Sequence, residues 1–398
     1  MSAVSFPMGR GCPFAPPEAY QRYLAEERAQ RLELASGQRV WALARHADVR
    51  AMLNDPRFSA DRERPGYPDL FGVGPQPPSR LKPSLFSMDP PVHTAARREV
   101  LGEFTVRRVH ELRPRIQEIV DDHVTAIVDG PRPADLVESL ALPVPSLVIC
   151  ELLGIPYDDH EFFQQRSSTL VSRGPTPEER LAAINELHDY LDGLVRAAEK
   201  TPGDDLLGRQ VGTRRTNGTY DRDDLVSLAF LLLIAGHETT ANATSLGIVA
   251  LLENPGQLAA LRADPSLTPG AVDEVLRYFS VGDLVTTRVA TEDVTLAGVT
   301  IRAGEGVIGL GQAANFDPLV FPDPGRLDIT RATRGHVAFG FGPHQCLGAN
   351  LARLEMTIVF DTLFARLPDL RLAVPFAELP FKHESTVFGL HALPVTWV

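Results

Sequence analysis

Residues 223–253 form a long and largely apolar segment, which fits only a helix that lies in a core. As a helix, the segment would span roughly 46 Å at a rise of 1.5 Å per residue. Asp221 is the predicted N-cap, and Asn254-Pro255 is predicted to end the helix. The first half, L-V-S-L-A-F-L-L-L-I-A, is apolar nearly all round and should be buried. A polar run interrupts it after about eleven residues, too soon for a membrane span.

The interrupting patch is A-G-H-E-T-T at residues 235–240. A carboxylate at Glu238 beside a hydroxyl at Thr239 can relay protons. Two alternatives stay open. Thr239 could simply bond to the carbonyl four residues back, and Glu238 could be a structural acid paired with an arginine. His237 is expected to be structural or solvent-facing.

A single cysteine, Cys346, lies in the glycine-rich sequence F-G-F-G-P-H-Q-C-L-G at residues 339–348, and a predicted helix follows at once. A thiolate ahead of a helix N-terminus is stabilised by the helix dipole and by free amide groups. The glycines let the backbone pass close to a flat, bulky group. This arrangement suits a sulfur anion that binds a haem iron. The alternatives are an inert buried cysteine and a Cys346–His344 nucleophile pair, which the spacing of two residues disfavours.

The bulk composition describes an ordinary globular chain. Its 398 residues are 44% hydrophobic and 23% charged. Three separated cysteines form neither a disulfide framework nor a zinc motif, which fits a reducing cytoplasm. The N-terminal sequence has no signal peptide or anchor pattern, so we expect a soluble, cytoplasmic protein with no membrane contact. A net charge of −12 argues against a nucleic-acid partner.

The remaining sequence predicts mostly helix, including helices at about 157–170 and 178–199 on either side of S-R-G-P-T-P. Short strands are predicted near 39–44, 294–301 and the C-terminus. Residues 61–86 are too rich in proline and glycine for regular structure. Residues 97–115 contain six arginines and three glutamates. This stretch is either a solvated helix face or a docking surface for an acidic electron carrier.

Three motifs together resemble the cytochrome P450 family of haem-thiolate monooxygenases. The cysteine loop matches F-x-x-G-x-H/R-x-C-x-G, and residues 235–240 match A/G-G-x-D/E-T-T. The pair Glu274 and Arg277 matches E-x-x-R, followed by F-P-D-P-G-R-L-D. The motifs occur in the family's order over essentially the whole chain, so we predict one domain, 1–398. The N-terminal segment and the run L-L-L-I-A-G-H-E-T-T are closest to the actinomycete group that oxidises macrolides, other polyketides, steroids and xenobiotics.

The resemblance implies a mainly α fold with a small β region, a triangular prism of helices around haem b, with Cys346 as the iron ligand. It implies catalytic roles for Glu238 and Thr239, and a structural triad of Glu274, Arg277 and Arg326. The implied cofactor-binding residues are His93, Arg97, Ala235, Gly236, Arg288, Phe339, Gly340, His344, Cys346 and Gly348. The implied substrate-binding residues are Phe86, Leu231, Ile234, Ala235, Leu284, Val285, Val387 and Phe388.

The implied activity is hydroxylation, or epoxidation, of a hydrophobic small molecule with O₂, within secondary metabolism. The electrons would come from a ferredoxin and its NAD(P)H-dependent reductase. One alternative is a peroxide-driven enzyme, but such relatives carry Arg-Pro where this chain has Glu238-Thr239. A second alternative is a catalytically silent haem protein, or a haem-free partner module, on the same scaffold.

Overall fold

The computed structural model of the chain describes residues 8–70, 80–172, 174–282, 286–383 and 385–398. The chain is 54% helical with a small sheet region, which confirms the predicted mainly α class. It divides into two compact units. Unit 1 comprises Met1–Pro75, Phe86–Arg97 and Leu246–Ala349, and unit 2 comprises Gln76–Leu85, Arg98–Ser245 and Asn350–Val398. The single domain expected from the motif order stays a prediction.

The α-helices of the described residues have the following bounds: α1 Glu18–Ala25, α2 His46–Asn54, α3 Val92–Leu101, α4 Val106–Glu111, α5 Arg113–Asp129, α6 Pro143–Leu153, α7 His160–Val171, α8 Pro177–Lys200, α9 Leu206–Asn217, α10 Arg222–Gly236, α11 Glu238–Leu252, α12 Pro255–Ala263, α13 Thr268–Phe279, α14 Gly311–Asn315 and α15 Ala349–Arg366. Helices α7 and α8 confirm the pair predicted around residues 172–177.

The strands are short: β1 Gln30–Glu33, β2 Arg39–Leu43, β3 Phe58–Ser59, β4 Ala134–Asp135, β5 Thr287–Ala290, β6 Val294–Leu296, β7 Val299–Ile301, β8 Gly306–Gly309, β9 Arg371–Leu372 and β10 Pro394–Thr396. Unit 1 holds a five-stranded sheet in the order β1-β2-β8-β5-β3, in which only β2 and β8 pair in parallel, and the hairpin β6-β7. Unit 2 holds the antiparallel sheet β4-β10-β9.

The five-stranded sheet of unit 1 packs between two apolar clusters, to which its central strands β2, β8 and β5 contribute. Alternate residues of a strand point to opposite faces. Val40 and Ile308 therefore join one apolar cluster with Tyr20, while Leu43 and Val307 join another. The second cluster also includes Val337 and Met52 and is flanked by Phe341. It thereby anchors the chain that leads into the cysteine loop.

Unit 2 is built from helices whose apolar faces meet. Helix α8 contacts α7 and α10, and α6 contacts α5 and α10. Helix α8 begins in a capping box, in which the Thr176 hydroxyl accepts from Glu179 N and the Glu179 carboxylate accepts from Thr176 N. Helix α10 begins at the predicted cap, where the Asp221 carboxylate accepts a hydrogen bond from Asp224 N at 3.0 Å.

The predicted long helix is present as α10 and α11, separated by a bend at His237. Three side chains within four residues explain the bend. The side chains of His237, Thr239 and Thr240 each bond to the carbonyl four residues back, and such bonds bend helices. Within the described chain, residues 222–252 alone are long and apolar enough to cross a membrane by length and composition. Of their most apolar window, 61% is buried in the protein, as in a core helix.

Candidate functional site

The cysteine loop of unit 1 is a tight turn closed by its own backbone. Cys346 N donates to Phe339 O at 2.7 Å, and Gln345 N donates to Gly342 O at 3.0 Å. Gly342 has φ +70°, and a Cβ there would lie 2.8 Å from Leu53 O, so only glycine fits. Helix α15 begins at Ala349, three residues after the exposed thiol. The predicted order of loop, sulfur and helix N-terminus is confirmed.

Four predicted cationic groups cluster around this loop in unit 1. The rings of His93 and His344 lie with their centroids 4.1 Å apart. The Arg97 guanidinium donates to Gln345 O at 2.6 Å, next to the sulfur of Cys346. Burial, and then the charges of Arg97 and Arg288, lower the pKa of His93. Burial also lowers the pKa of Arg97, against which the Cys346 charge acts.

This cluster fits a ligand with carboxylate groups, as the two propionates of haem would provide. Both ring nitrogens of His93 are buried and have no hydrogen-bond partner among the described residues. Burying two polar atoms without partners is costly unless a ligand satisfies them. Arg288 is only 4% exposed, and burial lowers its pKa, so its charge also favours a nearby anion. The residues present therefore suit the group that the sequence resemblance implies.

Unit 1 also contains a buried ion pair that hydrogen bonds connect to the chain entering the cysteine loop. Arg277 Nε lies 2.7 Å from Glu274 Oε2, and both side chains are fully buried. Arg277 also donates to Asn315 O at 2.8 Å, and the Asn315 side chain accepts from Val337 N at 2.8 Å. A continuous set of hydrogen bonds thus runs from the ion pair to the chain that enters the cysteine loop. The predicted pairing of Glu274 with Arg277 is confirmed.

The predicted third member of this network, Arg326, is wrong. Arg326 pairs with Asp328 at 2.7 Å, and its side chain is 65% exposed. Arg331 takes the inner place instead, with its Nε 3.2 Å from Glu274 Oε1. The reason is the turn at 323–328, where Asp323 adopts φ +49° and Asp328 N itself donates to Glu274 at 3.0 Å. This turn keeps Arg326 outside and returns the chain to Glu274 at Arg331.

In unit 2, the hydroxyl of Thr239, the predicted catalytic residue, bonds to the carbonyl four residues back, as the structural alternative predicts. Thr239 Oγ1 donates to Ala235 O at 2.8 Å. Its hydrogen is therefore occupied, whereas its oxygen lone pairs can still accept a bond from water or from a ligand. Thr239 is half-buried, so such a partner can approach it. Geometry thus allows Thr239 to act as an acceptor.

Glu238 is buried and ion-paired, but its partner is a lysine. Lys382 Nζ lies 2.6 Å from Glu238 Oε1, and Asn242 Nδ2 donates to the same oxygen at 3.2 Å. Burial would raise the pKa of Glu238, but Lys382, through its charge and hydrogen bond, together with His237 and Asn242, holds it below its ordinary value. The alternative of a structural acid named an arginine as the partner of Glu238, and the structure has a lysine there instead. The catalytic role of Glu238 stays a prediction.

The other residues of the helical bend have structural roles. A Cβ on Gly236 would lie 3.0 Å from Ile149 Cδ1, so packing against α6 accounts for this glycine, and its cofactor role stays a prediction. His237 is fully buried, its Nδ1 donates to Leu233 O at 2.7 Å, and its ring meets the Phe163 ring edge-on. This confirms the structural alternative for His237.

The predicted substrate-binding residues fall into three groups by exposure. Leu231, Ile234 and Ala235 are half-buried on α10, and Phe86 is 42% exposed. Val387 and Phe388 are almost buried, and the Phe388 ring stacks on Phe381 with centroids 5.8 Å apart. Leu284 and Val285 lie outside the described residues.

The arginines of the basic stretch that belong to unit 2 mostly pair with nearby glutamates. Arg107 and Arg108 lie 3.5 and 2.9 Å from Glu111, and Arg115 lies 2.5 Å from Glu151. These local pairs reduce the net positive field of the stretch. They favour the solvated-face alternative over a dedicated docking surface.

Three residues of these networks were missed in the sequence: Lys382, Asn242 and Arg331. Asn242 follows Glu238 by four residues, a spacing that brings two helical side chains together and could have been used. Lys382 is one of only three lysines in the chain, against 36 arginines, and lies in an otherwise apolar segment. That composition is a weak signal, because it does not indicate which residue Lys382 contacts.

Known proteins resemble this chain over its full length. The cytochrome P450 family matches residues 174–394. The vitamin D3 dihydroxylase of Streptomyces griseolus is 46% identical over 398 residues, which cover 99% of this chain and 97% of the relative. The crystal structure of cytochrome P450 MoxA from Nonomuraea recticatena is 52% identical, with a TM-score of 0.91 over 100% of this chain and 99% of that one. The structure of CYP105P1 in complex with filipin I is 42% identical, with a TM-score of 0.94 over 100% and 99%.

These similarities agree with the geometry of the cysteine loop and its cations. Proteins of this family are haem-thiolate monooxygenases that hold protoporphyrin IX haem. The observed fold class and the cluster around Cys346 fit that cofactor. The chain belongs to the cytochrome P450 family and is a haem-dependent monooxygenase.

Proposed function

We propose that this protein is a cytoplasmic, ferredoxin-dependent monooxygenase that hydroxylates, or epoxidises, a hydrophobic small molecule of the macrolide, polyketide, steroid or xenobiotic type. The reaction consumes the substrate, O₂, two electrons and two protons, and yields the oxygenated product and water. The electrons come from a ferredoxin that an NAD(P)H-dependent reductase reduces. The cluster around Cys346 is the observation that carries this proposal.

Haem b supplies the redox chemistry of O₂ activation when it is bound. The side chains of unit 1 hold it: the Cys346 thiolate binds the iron, and His93, Arg97, Arg288 and His344 bind the propionates. The buried nitrogens of His93 support this role because the ring N–H would donate to a carboxylate. Charge-assisted bonds of this kind contribute about 1.5–3 kcal/mol each. Arg97 also places a positive charge beside the thiolate sulfur.

Proton delivery is assigned to two side chains of unit 2, Thr239 and Glu238. Thr239 holds a water molecule or a reacting oxygen by accepting its hydrogen bond, because its own hydrogen is bonded to Ala235 O. Glu238 takes a proton from solvent and passes it on, then returns to the carboxylate. General acid–base groups of this kind contribute about 10²–10⁴-fold to a rate. Apolar side chains at Leu231, Ile234, Ala235, Val387 and Phe388 contact the substrate.

The thiolate role is tested by the spectrum of the reduced protein under carbon monoxide. We expect the strongly red-shifted Soret band of a haem-thiolate protein. Cys346→His should keep haem but lose that band, while Cys12→Ser, a change at an exposed cysteine, should keep both. A Cys346→His variant that retains the red-shifted band would contradict the assignment.

The role of Thr239 is tested by the fate of the electrons. With reductase, a plant-type ferredoxin and NADPH, Thr239→Ala should release most reducing equivalents as hydrogen peroxide, because the bound water loses its acceptor. Thr239→Ser should keep the coupling to product. Equal peroxide yields in the wild type and in Thr239→Ala would exclude the role.

The substrate class is tested by optical titration of the haem protein with vitamin D3, filipin I and an isoflavonoid. The names of two relatives motivate the first two compounds. A ligand that binds next to the haem should shift the Soret band to shorter wavelength. Turnover of that ligand with hydrogen peroxide alone, at the rate seen with ferredoxin and O₂, would favour the peroxide-driven alternative.

A further inference from the structure

The carboxylate of Glu238 is held asymmetrically. Lys382 and Asn242 both donate to Oε1, at 2.6 and 3.2 Å. Among the residues that the structure describes, no donor bonds to Oε2. One oxygen is thus fixed by a cation and an amide, and the other can exchange a proton. The ion pair is largely buried, with 15% of the lysine side chain and 9% of the glutamate side chain exposed.

Lys382 belongs to a hairpin that is bonded to helix α7. Its described residues, 381–383 and 385–390, are here called the C-terminal hairpin; Phe381 and Leu390 form a bridge, and Lys382 N donates to Gly389 O at 2.8 Å. Near the tip, Thr386 N and Oγ1 donate to Val171 O at the end of α7, at 3.0 and 2.8 Å. The two arms of the hairpin are thus joined to each other, and the residues near its tip are joined to α7.

The hairpin also contacts α11 closely beside the ion pair. A Cβ on Gly389 would lie 1.8 Å from Asn242 Oδ1, so any other residue there would force the two apart. Asn242 thus contacts the hairpin with one side-chain atom and Glu238 with another. The backbone of the hairpin, rather than the flexible lysine alone, determines where the ammonium group lies. This is how a positioning residue is held in place.

We propose that Lys382 is a positioning residue for proton delivery: it fixes Oε1 of Glu238 and keeps this acid ionised, so that Oε2 takes each proton from solvent and passes it on. The inference rests on the proposed function for the destination of the proton. The step balances as a transfer of H⁺ to the Glu238 carboxylate, followed by its release to the reacting oxygen. The carboxylate is regenerated, and no electron passes through the side chain.

Lysine suits this task better than arginine. A guanidinium group binds a carboxylate through two parallel bonds and would occupy both oxygens, whereas an ammonium is a compact point charge. The charged or titratable groups that act on Glu238 are Lys382 and His237, and Asn242 is the neutral donor. Burial, and then the charge of Lys382, keep His237 neutral by lowering its pKa, against the opposing effect of Glu238.

Infrared difference spectroscopy of the haem protein tests the ionisation directly and does not depend on turnover. At pH 7, the wild type minus Glu238→Gln should show a carboxylate but no carbonyl stretch of a protonated acid. Lys382→Met should gain that carbonyl stretch, and Lys382→Met/Glu238→Gln should lose it again. Lys382→Gln, which keeps a donor without a charge, serves if the methionine variant fails to fold. Lys200→Met is the matched control, because Lys200 is exposed.

Lys382→Arg separates charge from geometry. The Lys382→Arg variant should show no carbonyl stretch, because the positive charge is kept. It should nevertheless lower the NADPH-supported rate, because the guanidinium group would also bond to Oε2 of Glu238. With ferredoxin, reductase and vitamin D3 as the probe, Lys382→Met should reduce the rate about tenfold. The acid limb of its pH profile should move to higher pH, and the Kd for vitamin D3 should stay within about twofold of the wild type.

The outcomes distinguish this inference from the proposed function. Absence of the carbonyl stretch in both Lys382→Met and Lys382→Gln would overturn the inference even in an active enzyme. If the stretch is present but the acid limb and the rate are unchanged, Lys382 is a structural partner only, and the inference also fails. An inactive wild type with the expected infrared changes would contradict the proposed function and leave the ionisation assignment supported.

Discussion

Three buried glutamates of this protein differ in what surrounds them. Glu274 in unit 1 has two arginine partners, Arg277 and Arg331. Glu238 in unit 2 has one lysine partner, Lys382. Glu355, on α15 in unit 2, is 3% exposed, and its Oε2 has no hydrogen-bond partner among the described residues. The three side chains share a chemistry and a degree of burial, so their differences come from the neighbours.

The comparison between Glu238 and Glu355 shows which effect decides protonation. Burial alone raises the pKa of Glu355 to about 8. Burial acts in the same direction on Glu238, but the lysine partner reverses the net shift. Glu355 therefore illustrates, within the same unit, the state that Glu238 would approach without its cation. Of these two acids, Glu238 is therefore the better suited to accept a proton at neutral pH.

The largest expected effect is a loss of unfolding free energy when Glu274 loses one of its two arginine partners. Arg331→Met should lower the free energy of unfolding by about 3–5 kcal/mol, because it removes half of the cationic partners of a fully buried carboxylate. Arg326→Met, a matched change at an exposed arginine, should cost at most about 1 kcal/mol. Urea denaturation of both variants measures the difference. Equal losses would restore Arg326 to the network and remove Arg331 from it.

Glu355, which has no cationic partner among the described residues, should make the free energy of unfolding depend on pH. The pKa of Glu355 is raised on folding from 4.5 to about 8, so its native proton stabilises the fold below about pH 4.5 and this stability is lost as pH rises towards about 8. At about 1.4 kcal/mol per pH unit, the loss between pH 5 and pH 7 is about 3 kcal/mol. Glu355→Gln should remove this slope, as measured by denaturation at each pH. A slope that survives the substitution must arise from other groups.

The smallest expected effect concerns activity. Glu238→Gln should reduce the ferredoxin-supported rate by about a hundredfold, equivalent to about 2.7 kcal/mol, because an amide cannot relay a proton. Glu355→Gln should leave the rate within about twofold at pH 7 and serves as the matched control. Steady-state product formation from a bound probe such as vitamin D3 measures both. A similar loss in the two variants would mean that buried charge in general, and not a relay, limits the rate.

The sequence predicted much of this protein because its motifs join local geometry to chemistry. The loop at Cys346, the helix after it, the Asp221 cap and the Glu274–Arg277 pair are all determined within a few residues. The interruption S-R-G-P-T-P sufficed to separate the helices on either side of residues 172–177. The family motifs also placed His93 and Arg97 on one helix, where the structure has them.

The rest depends on contacts between residues far apart in the chain, which local patterns do not encode. Lys382 meets Glu238 across 144 residues, and no spacing rule connects them. Arg326 and Arg331 are both close to the right place in sequence, and only the turn at Asp323 decides which one faces inward. The bend at His237 results from three side chains that compete with backbone amides for helical carbonyls, an effect that apolar periodicity conceals.

The close approach of Gly389 to Asn242 has an evolutionary consequence. Because no side chain fits at position 389, the backbone path of the hairpin cannot drift, and an insertion there would pull Lys382 from its acid. Under the proposed function, substrate preference would then change through exchanges of side chains such as Val387 and Phe388 on an unchanged backbone. The backbone that carries Lys382 would stay the same while the oxidised compound differs.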